Sequence, residues 1–302
     1  PEVPQEYLYG QDPRVRTQLE FEDFLDSGRA SEIKALKSVV MIQCVGSRDE
    51  RHPYCTRICC GTAVKNSLRL KELNPKARVY VLCRDVRVYG LAERWYRQAR
   101  EKGVVFLRYD EGSKPEVANG NGRLLVRTKD DILGRILALD ADLLVLSAGI
   151  EPNRDNRVLS QLLKVPLDAD GFFLEAHVKL RPVDFATEGV FVCGLAHYPK
   201  YLAESIAQAR AAASRAATIL SKSEIEAEGK VAAVDAARCS GCGACLDVCA
   251  YKAIELDPIL RIAVVNEATC KGCGTCAATC RAGAIDLKGF RNEQILEAVN
   301  AI

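Results

Sequence analysis

The strongest chemical signature in this sequence is a pair of cysteine repeats: Cys239-Ser-Gly-Cys242-Gly-Ala-Cys245-Leu-Asp-Val-Cys249 and Cys270-Lys-Gly-Cys273-Gly-Thr-Cys276-Ala-Ala-Thr-Cys280. Each has the spacing C-x2-C-x2-C-x3-C. Such a loop wraps three thiolates around one 4Fe–4S cubane, while the fourth cysteine, one helical turn further on, reaches the other cluster. The expected ligand sets are therefore Cys239, Cys242, Cys245 and Cys280 for one cluster, and Cys270, Cys273, Cys276 and Cys249 for the second. Gly241, Gly243, Gly272 and Gly274 fit this chemistry, since glycine lets the backbone turn tightly and present N–H groups to the sulfides. Structural zinc uses paired C-x2-C units, each closing one tetrahedron, and three evenly spaced cysteines with a remote fourth do not supply that.

Four more cysteines, Cys44, Cys55, Cys59 and Cys60, lie within 17 residues of one another. They fall at the junction of a predicted strand and helix, where a dinucleotide-binding unit carries its glycine-rich phosphate loop. No G-x-G-x-x-G occurs there, so the backbone cannot closely approach a pyrophosphate and a nicotinamide nucleotide is not expected. Four soft ligands at this place point to a third cluster that has replaced the nucleotide. On spacing alone, buried thiols or a vicinal redox pair at Cys59-Cys60 account for them equally well. Cys83 and Cys193 fall in predicted strands and read as core residues. No side chain suggests acid–base or nucleophilic catalysis, so no catalytic residue is assigned and the chemistry is left to cofactors.

The elements that must position these thiols can be read from periodicity. Ser38 to Cys44 is a β-branched run suited to a buried strand, and Gly61 to Leu73 carries Ala63, Val64, Leu68, Leu70 and Leu73 on a helical face. A strand at Ala77–Cys83, a helix at Leu91–Lys102 and a strand at Gly103–Leu107 follow, an alternation that predicts a parallel βαβαβ sheet. The Asn119-Gly120-Asn121-Gly122 turn signal, with Arg123–Arg127 and Leu133–Leu139, predicts a small antiparallel excursion. Asp142–Gly149 and Gly189–Gly194 read as further strands, Leu202–Leu220 as a long Ala-rich helix, Ser221–Lys230 as a charged linker, and Glu293 onward as a helical tail. The expected domains are a connecting arm at 1–30, an inserted Rossmann-like domain at 31–140, a return segment at 141–222, and a two-cluster domain with the final helix at 223–302.

Composition narrows the class. The chain has 302 residues, is 48% hydrophobic and 27% charged, and carries 42 Lys+Arg against 40 Asp+Glu. Neither disorder nor a nucleic-acid footprint is indicated. No apolar run is long enough for a membrane span, and the first thirty residues do not read as a signal peptide. Abundant thiols without secretory features suit metal binding in a reducing, cytoplasmic setting.

Two resemblances extend this reading. Val231 to Leu287 resembles bacterial-type two-cluster ferredoxins, departing from them at Ala250 and Arg281, where a proline usually follows the fourth cysteine. Cys44-Val-Gly-Ser-Arg-Asp, Tyr54-Cys55-Thr-Arg-Ile-Cys59-Cys60, Asp85-Val-Arg-Val-Tyr-Gly90 and Gly171-Phe-Phe-Leu-Glu175 resemble the A subunit of heterodisulfide reductase, a flavin and iron–sulfur protein, and its relatives in other electron-bifurcating and quinone-interacting complexes. The resemblance implies that Cys44, Cys55, Cys59 and Cys60 hold a 4Fe–4S cluster, making three in all. It implies an α/β fold class: thioredoxin-reductase-like Rossmann domains, with a partial FAD-binding domain around an inserted domain, followed by an α+β ferredoxin domain. The return elements of that flavin domain would be Asp142–Gly149 and Thr187–Gly194.

In that frame the FAD-binding residues are Gly149, Gly194, Leu195, Ser205, Gln208 and Ala209. Gly194 would admit the ribityl-phosphate arm, and a helix beginning near Ser205 would aim its N-terminal dipole at the isoalloxazine edge from a first turn holding Gln208 and Ala209. Leu195 replaces the Asp that thioredoxin reductases carry after this glycine, so the ribityl hydrogen bond must differ, with His197 or Lys200 as substitutes. The first FAD fingerprint is expected before residue 1, in a longer subunit of which this is the carboxy-terminal portion, or on another chain. The implied function is an electron-transfer subunit in which FAD divides an electron pair between branches. Its partners would be other subunits of such a complex and a ferredoxin, hydrogenase or dehydrogenase donor. The rival is a flavin-free structural or relay subunit that wires clusters between partners.

Overall fold

The computed structural model describes the chain except residues 121, 131, 132, 225–228, 268 and 302. It divides into two units, residues 1–160 with 165–213, and residues 161–164 with 214–302. The first unit opens with β1 (Val15–Thr17) and α1 (Gln18–Asp26), where Thr17 and Glu20 form a reciprocal capping box. There follow α2 (Ala30–Ala35), β2 (Ser38–Val45), α3 (Cys59–Leu73), β3 (Arg78–Cys83), α4 (Glu93–Glu101) and β4 (Val104–Arg108). Strands β5 (Glu116–Asn119), β6 (Leu124–Asp130) and β7 (Arg135–Ala141) form an antiparallel sheet, and β8 (Leu143–Ala148) returns to the parallel one. Its order is β1-β8-β2-β3-β4, all parallel. Helices α5 (Asn156–Leu163) and α6 (Leu202–Leu220) follow.

Alternation along β2 explains why this sheet is covered on both faces. Val39 and Met41 pack with Phe21, Val64, Leu70 and Val145, whereas Val40 and Ile42 pack with Leu124, Val126, Leu144 and Leu146. Helices cover the first face and the antiparallel sheet the second, as a parallel sheet buried on both sides requires. The chain therefore leaves β2 at the centre of the sheet, and the thiols beyond it stand at the carboxyl end of a central strand.

The second unit is a repeat. Its elements are β9 (Ala232–Val234), α7 (Ala244–Asp247), β10 (Ile254–Leu256), β11 (Ala263–Val265), α8 (Thr275–Thr279), β12 (Ile285–Leu287) and α9 (Asn292–Asn300). β9 pairs with β12 and β10 with β11, both antiparallel, around a core of Ala232, Cys245, Ile254, Ala263, Cys276 and Ile285. No helix among the described residues is long and apolar enough to cross a membrane.

Three expectations need correction. Residues 1–30 are not a connecting arm: β1 is an edge strand of the parallel sheet, and Phe21, Phe24 and Leu25 are core. The strand has three residues in a proline-interrupted stretch, too short to show a period. Secondly, β8 lies between β1 and β2, so the boundary expected at 140/141 cuts through one sheet. Hydrophobic runs announce buried strands without announcing their order. Thirdly, Gly189–Gly194 is not a strand. Phe191 makes a single bridge to Asp184, and Val192 packs locally with Val165, Phe173 and Phe185. The turn expected at 119–122 does connect β5 to β6, with Gly120 N–H donating to Arg123 O at 2.8 Å, although Asn121 lies outside the described residues, as do residues 225–228 of the expected linker.

Phe21 is fully buried. Phe21→Ala should destabilise the first unit by about 3–5 kcal/mol, read as a fall in its urea midpoint; a peripheral segment would give a change within about 0.5 kcal/mol.

Candidate metal centres

The first centre is built where β2 ends and α3 begins. Cys44 closes β2 with φ +61°, and Cys59 and Cys60 are the first two residues of α3, where unpaired N–H groups favour thiolates. Between them, residues 46–54 form an ordered loop. Asp49 accepts from the N–H groups of Arg51 (3.0 Å) and His52 (2.7 Å), Arg48 N–H donates to Tyr54 O (3.0 Å), and the Tyr54 hydroxyl donates to Ile150 O (2.8 Å). Cys55 then sits opposite the helix start, with the Arg57 N–H donating to its Sγ at 3.3 Å.

The structure brings all four thiols together. Burial and the nearby Cys60 push the Cys44 thiol up to about 11, and Cys59 stands well above the ordinary thiol range because it hydrogen-bonds to Cys60 and is buried beside Cys44 and Cys55. Cys60 is held down by the same bond and by the Arg87 N–H. Arg48 pairs with Asp85 and approaches Cys44 Sγ at 4.0 Å, while Cys60 Sγ lies 3.8 Å from Asp85 O. The Asp85–Gly90 segment thus closes the nest with a charge-balanced arginine and a backbone donor. Arg57 ties the loop to the start of α6 through Pro199 O (3.2 Å) and Glu204 (2.7 Å), and to the Asp85–Gly90 segment through the Tyr89 hydroxyl (2.7 Å). Arg48, Arg57, Asp85 and Tyr89 lie in the motifs that carry the family resemblance, but sequence reasoning assigned them no role.

The second unit shows two thiol sets related by its repeat. Cys245 is raised by burial and by Cys239, Cys242 and Cys280 around it. Cys276 is raised by burial and by Cys270 and Cys273, and a small apolar cavity is shared by Cys249, Cys270, Cys273 and Cys276. These are the two groupings expected from spacing. Their donors repeat as well. Ala263 N–H reaches Cys239 Sγ (3.4 Å) and Ala232 N–H reaches Cys270 Sγ (3.4 Å); Ala253 N–H reaches Cys249 Sγ (3.2 Å) and Ala284 N–H reaches Cys280 Sγ (3.3 Å). Cys242 and Cys273 are held down by Ala244 and Thr275 respectively. Two glycines are obligatory: a Cβ on Gly241 would lie 2.2 Å from Arg261 O, and one on Gly272 2.0 Å from Lys230 O, both at positive φ.

The geometry also bears on which metal group the thiols fit. A zinc ion with Zn–S near 2.3 Å holds its thiolates about 3.8 Å apart. Among the described residues no three cysteine sulfurs lie within 4.8 Å of one another; the trio that does, Glu2, His52 and Glu151, is bridged by Arg51 at 3.1 Å from Glu2 and 2.5 Å from Glu151. All 14 cysteines are free of disulfides. Wider sets of four with amide donors suit a cubane, whose ligands bind four separate irons. Of the remaining two cysteines, Cys83 is core, while Cys193 is exposed, contrary to its expected burial, because its segment is not a sheet strand.

The residues expected at a flavin are less concentrated. Gly149 N–H donates to Val45 O (2.8 Å), and a Cβ there would meet Gly46 O at 2.4 Å, so packing of strand ends alone requires this glycine. Gly194 has φ +67° with open space beside it; its N–H donates to Gln208 Oε1 (3.0 Å) and its carbonyl accepts from Lys200 Nζ (3.0 Å). Because α6 starts at Leu202 rather than near Ser205, Gln208 and Ala209 fall in its second turn, not its first, and Ala209 is exposed. Ser205 N–H donates to Tyr201 O at 2.9 Å, within the helix start.

Two clefts flank these residues. Leu195 lines one of about 510 Å³ with Cys59, Ala148 and Ile150. His197, Lys200, Gln208, Glu175 and Arg57 line another of about 540 Å³. There His197 Nε2 pairs with Glu175 at 2.7 Å, and burial lowers Lys200 to about 8.

Fold and thiol sets together define an α/β protein carrying an iron–sulfur dicluster module, and a model of the 4Fe–4S dicluster domain matches residues 238–284. The chain is 39% identical over 271 residues to an iron–sulfur A subunit of the CoB–CoM heterodisulfide reductase of Methanopyrus kandleri, covering 85% of this chain and 41% of that protein. It is 40% identical over 267 residues to the corresponding A subunit of Methanocaldococcus jannaschii, covering 83% and 40%. Among solved structures, T. acidophilum thioredoxin reductase is similar with a TM-score of 0.45 at 13% identity, over 73% of this chain and 62% of that one. The chain belongs to the heterodisulfide reductase A-subunit family. It spans about two fifths of the length of the curated relatives it matches.

Gly272→Ala should lower bound iron by about four per chain in anaerobically prepared protein, because the Cys270–Cys273 loop cannot close against Lys230, whereas Gly112→Ala, at an open position, should leave iron unchanged.

Proposed function

We propose that the chain is the electron-wiring part of a heterodisulfide-reductase-like oxidoreductase subunit, passing electrons between FAD, three 4Fe–4S clusters and ferredoxin or partner subunits. The observation that carries this reading is the gathering of Cys44, Cys55, Cys59 and Cys60 at the carboxyl end of the central strand, in a chain whose other unit groups eight thiols four by four. Cys44, Cys55, Cys59 and Cys60 would hold one cluster, Cys239, Cys242, Cys245 and Cys280 the second, and Cys270, Cys273, Cys276 and Cys249 the third. FAD, when bound, supplies the exchange between two-electron donors and one-electron clusters. This chain's own residues fix cluster position and set potential through N–H···S bonds and burial, over a range of about −700 to +450 mV for such clusters.

The relatives' names refer to CoB–CoM heterodisulfide, and in some to hydrogen, formate, F420H2 or ferredoxin. Service to a complex of that class, division of the electron pair between branches, and residence in a reducing cytoplasm belong to the same proposal. The domain roles proposed are a partial flavin-binding fold within the first unit and a two-cluster ferredoxin module in the second.

A flavin-free relay is favoured by one set of observations: Leu195 is apolar, Gly149 is explained by packing, and Ala209 is exposed. FAD released on denaturation of the intact subunit supports the first reading, and about twelve irons without flavin supports the relay. Cys59→Ser should remove about four irons and leave the ferredoxin-type signals intact in EPR; unchanged iron content would refute the junction assignment.

A further inference from the structure

Two buried hydroxyls near the junction thiols have no hydrogen-bond partner. Tyr201 Oη is fully enclosed and unpaired, and so is Thr56 Oγ1, whose residue is 1% exposed. Native interiors leave few such groups unsatisfied, and each one that remains calls for an acceptor. Thr56 follows Cys55 directly and Tyr201 lies near Cys59 and Cys60, so the two hydroxyls reach the junction from different parts of the chain. Thr56 lies within the loop itself, between Cys55 and Arg57. Tyr201 comes from the residue preceding α6, and its hydroxyl presses on Gly61, the residue after Cys60: a Cβ there would be 2.9 Å from Oη and 3.0 Å from the ring.

Tyr201 is held in this pose from several sides. Its ring meets Tyr89 edge to face at 5.6 Å between centroids, and its N–H donates to Glu204 at 2.8 Å. Glu204 in turn binds Arg57, the residue whose N–H reaches Cys55 Sγ. Burial, with Tyr89, Cys60 and Cys59 nearby, pushes the phenol up to about 12, so it stays protonated and can only act as a neutral O–H group. The Gly61 contact leaves no room for a side chain between the phenol and the helix start.

We propose that Tyr201 and Thr56 donate their hydroxyl hydrogens to sulfur of the cluster held by Cys44, Cys55, Cys59 and Cys60, and so raise its reduction potential. The inference rests on the junction-cluster reading and adds two positioning residues to it. Inorganic sulfide of the cluster is an acceptor that the two hydroxyls lack among the protein's own groups. A hydrogen bond to sulfur draws off negative charge and stabilises the reduced cluster more than the oxidised one. No ligand is added or removed by these donors, so iron content and potential separate cleanly.

The test compares the anaerobically prepared full chain with Tyr201→Phe, Thr56→Val and the double variant by redox titration followed by EPR. The two clusters of the second unit serve as internal references. The expected result is a more negative midpoint for the junction cluster in each single variant and a larger shift in the double, with iron content and the reference midpoints unchanged. Resonance Raman of the unaltered chain in deuterated buffer should show Fe–S bands of that cluster shifting, with the shift reduced in the variants. Unchanged midpoints and bands at about twelve irons overturn the donation alone, whereas about eight irons in the unaltered chain overturns the junction cluster itself and the inference with it. Should one single variant fail to hold its cluster, the other carries the same comparison.

Discussion

Crowded thiolates repel one another, and the rest of the molecule is organised around that fact. Burial makes ionisation costly for Cys44, and the hydrogen bond to Cys60 together with burial does the same for Cys59, so both stand above the ordinary thiol range while Cys60 is held down. A metal–sulfur cluster bound there would reverse the balance by supplying iron cations to all four at once, and its binding energy would become folding energy for the loops that present the thiols. The protein prepares for this with fixed dipoles: the open N–H groups at the start of α3, the Arg57 and Arg87 amides, and the repeated amide donors of the second unit. None of these groups changes protonation with pH, so the stabilisation does not depend on a titrating neighbour.

The two units meet this demand differently. In the second, a loop of tight turns does almost everything, and glycine is the means: Gly241 and Gly272 each touch a carbonyl of a distant strand-flanking residue, and only hydrogen fits. In the first, the four thiols are scattered over 17 residues and the scaffold is an α/β sheet whose central strand delivers Cys44 to the crevice where such sheets offer ligand sites. What a phosphate loop does with glycines, this junction does with an ordered insertion pinned by Asp49, Tyr54 and Arg48.

This difference decides what was legible in the sequence. The repeat of the second unit was legible as cysteine spacing and glycine positions, because that signal is local, whereas its short strands β9 to β12 and their pairing were not read. The βαβαβ core was legible too, since Ser38–Val45 and its neighbours are continuous apolar runs. Where the reading failed, the determinant was distant in sequence. β1 is recognisable as a strand only through its pairing with β8, more than a hundred residues later, and the Val190–Val192 run is buried by Val165, Phe173 and Phe185 rather than by a sheet. The same holds for the candidate site. The four cysteines announced themselves, while Arg48, Asp85, Arg57 and Tyr201 gain meaning only when the fold sets them beside those thiols.

The residues expected at a flavin follow the same reasoning. Gly194 keeps an open left-handed turn whose N–H and carbonyl are taken by Gln208 and Lys200, and Lys200 and Gln208 converge on His197, which is paired to Glu175. That network holds the turn rigid but spends its polar groups internally. Beyond it, no residue of α6 is buried, although the helix runs for 19 residues and carries Leu202, Ile206 and Leu220 on its surface. Were a flavin bound, the stiffened turn and the cleft that includes Cys59 would be the surfaces these residues offer it.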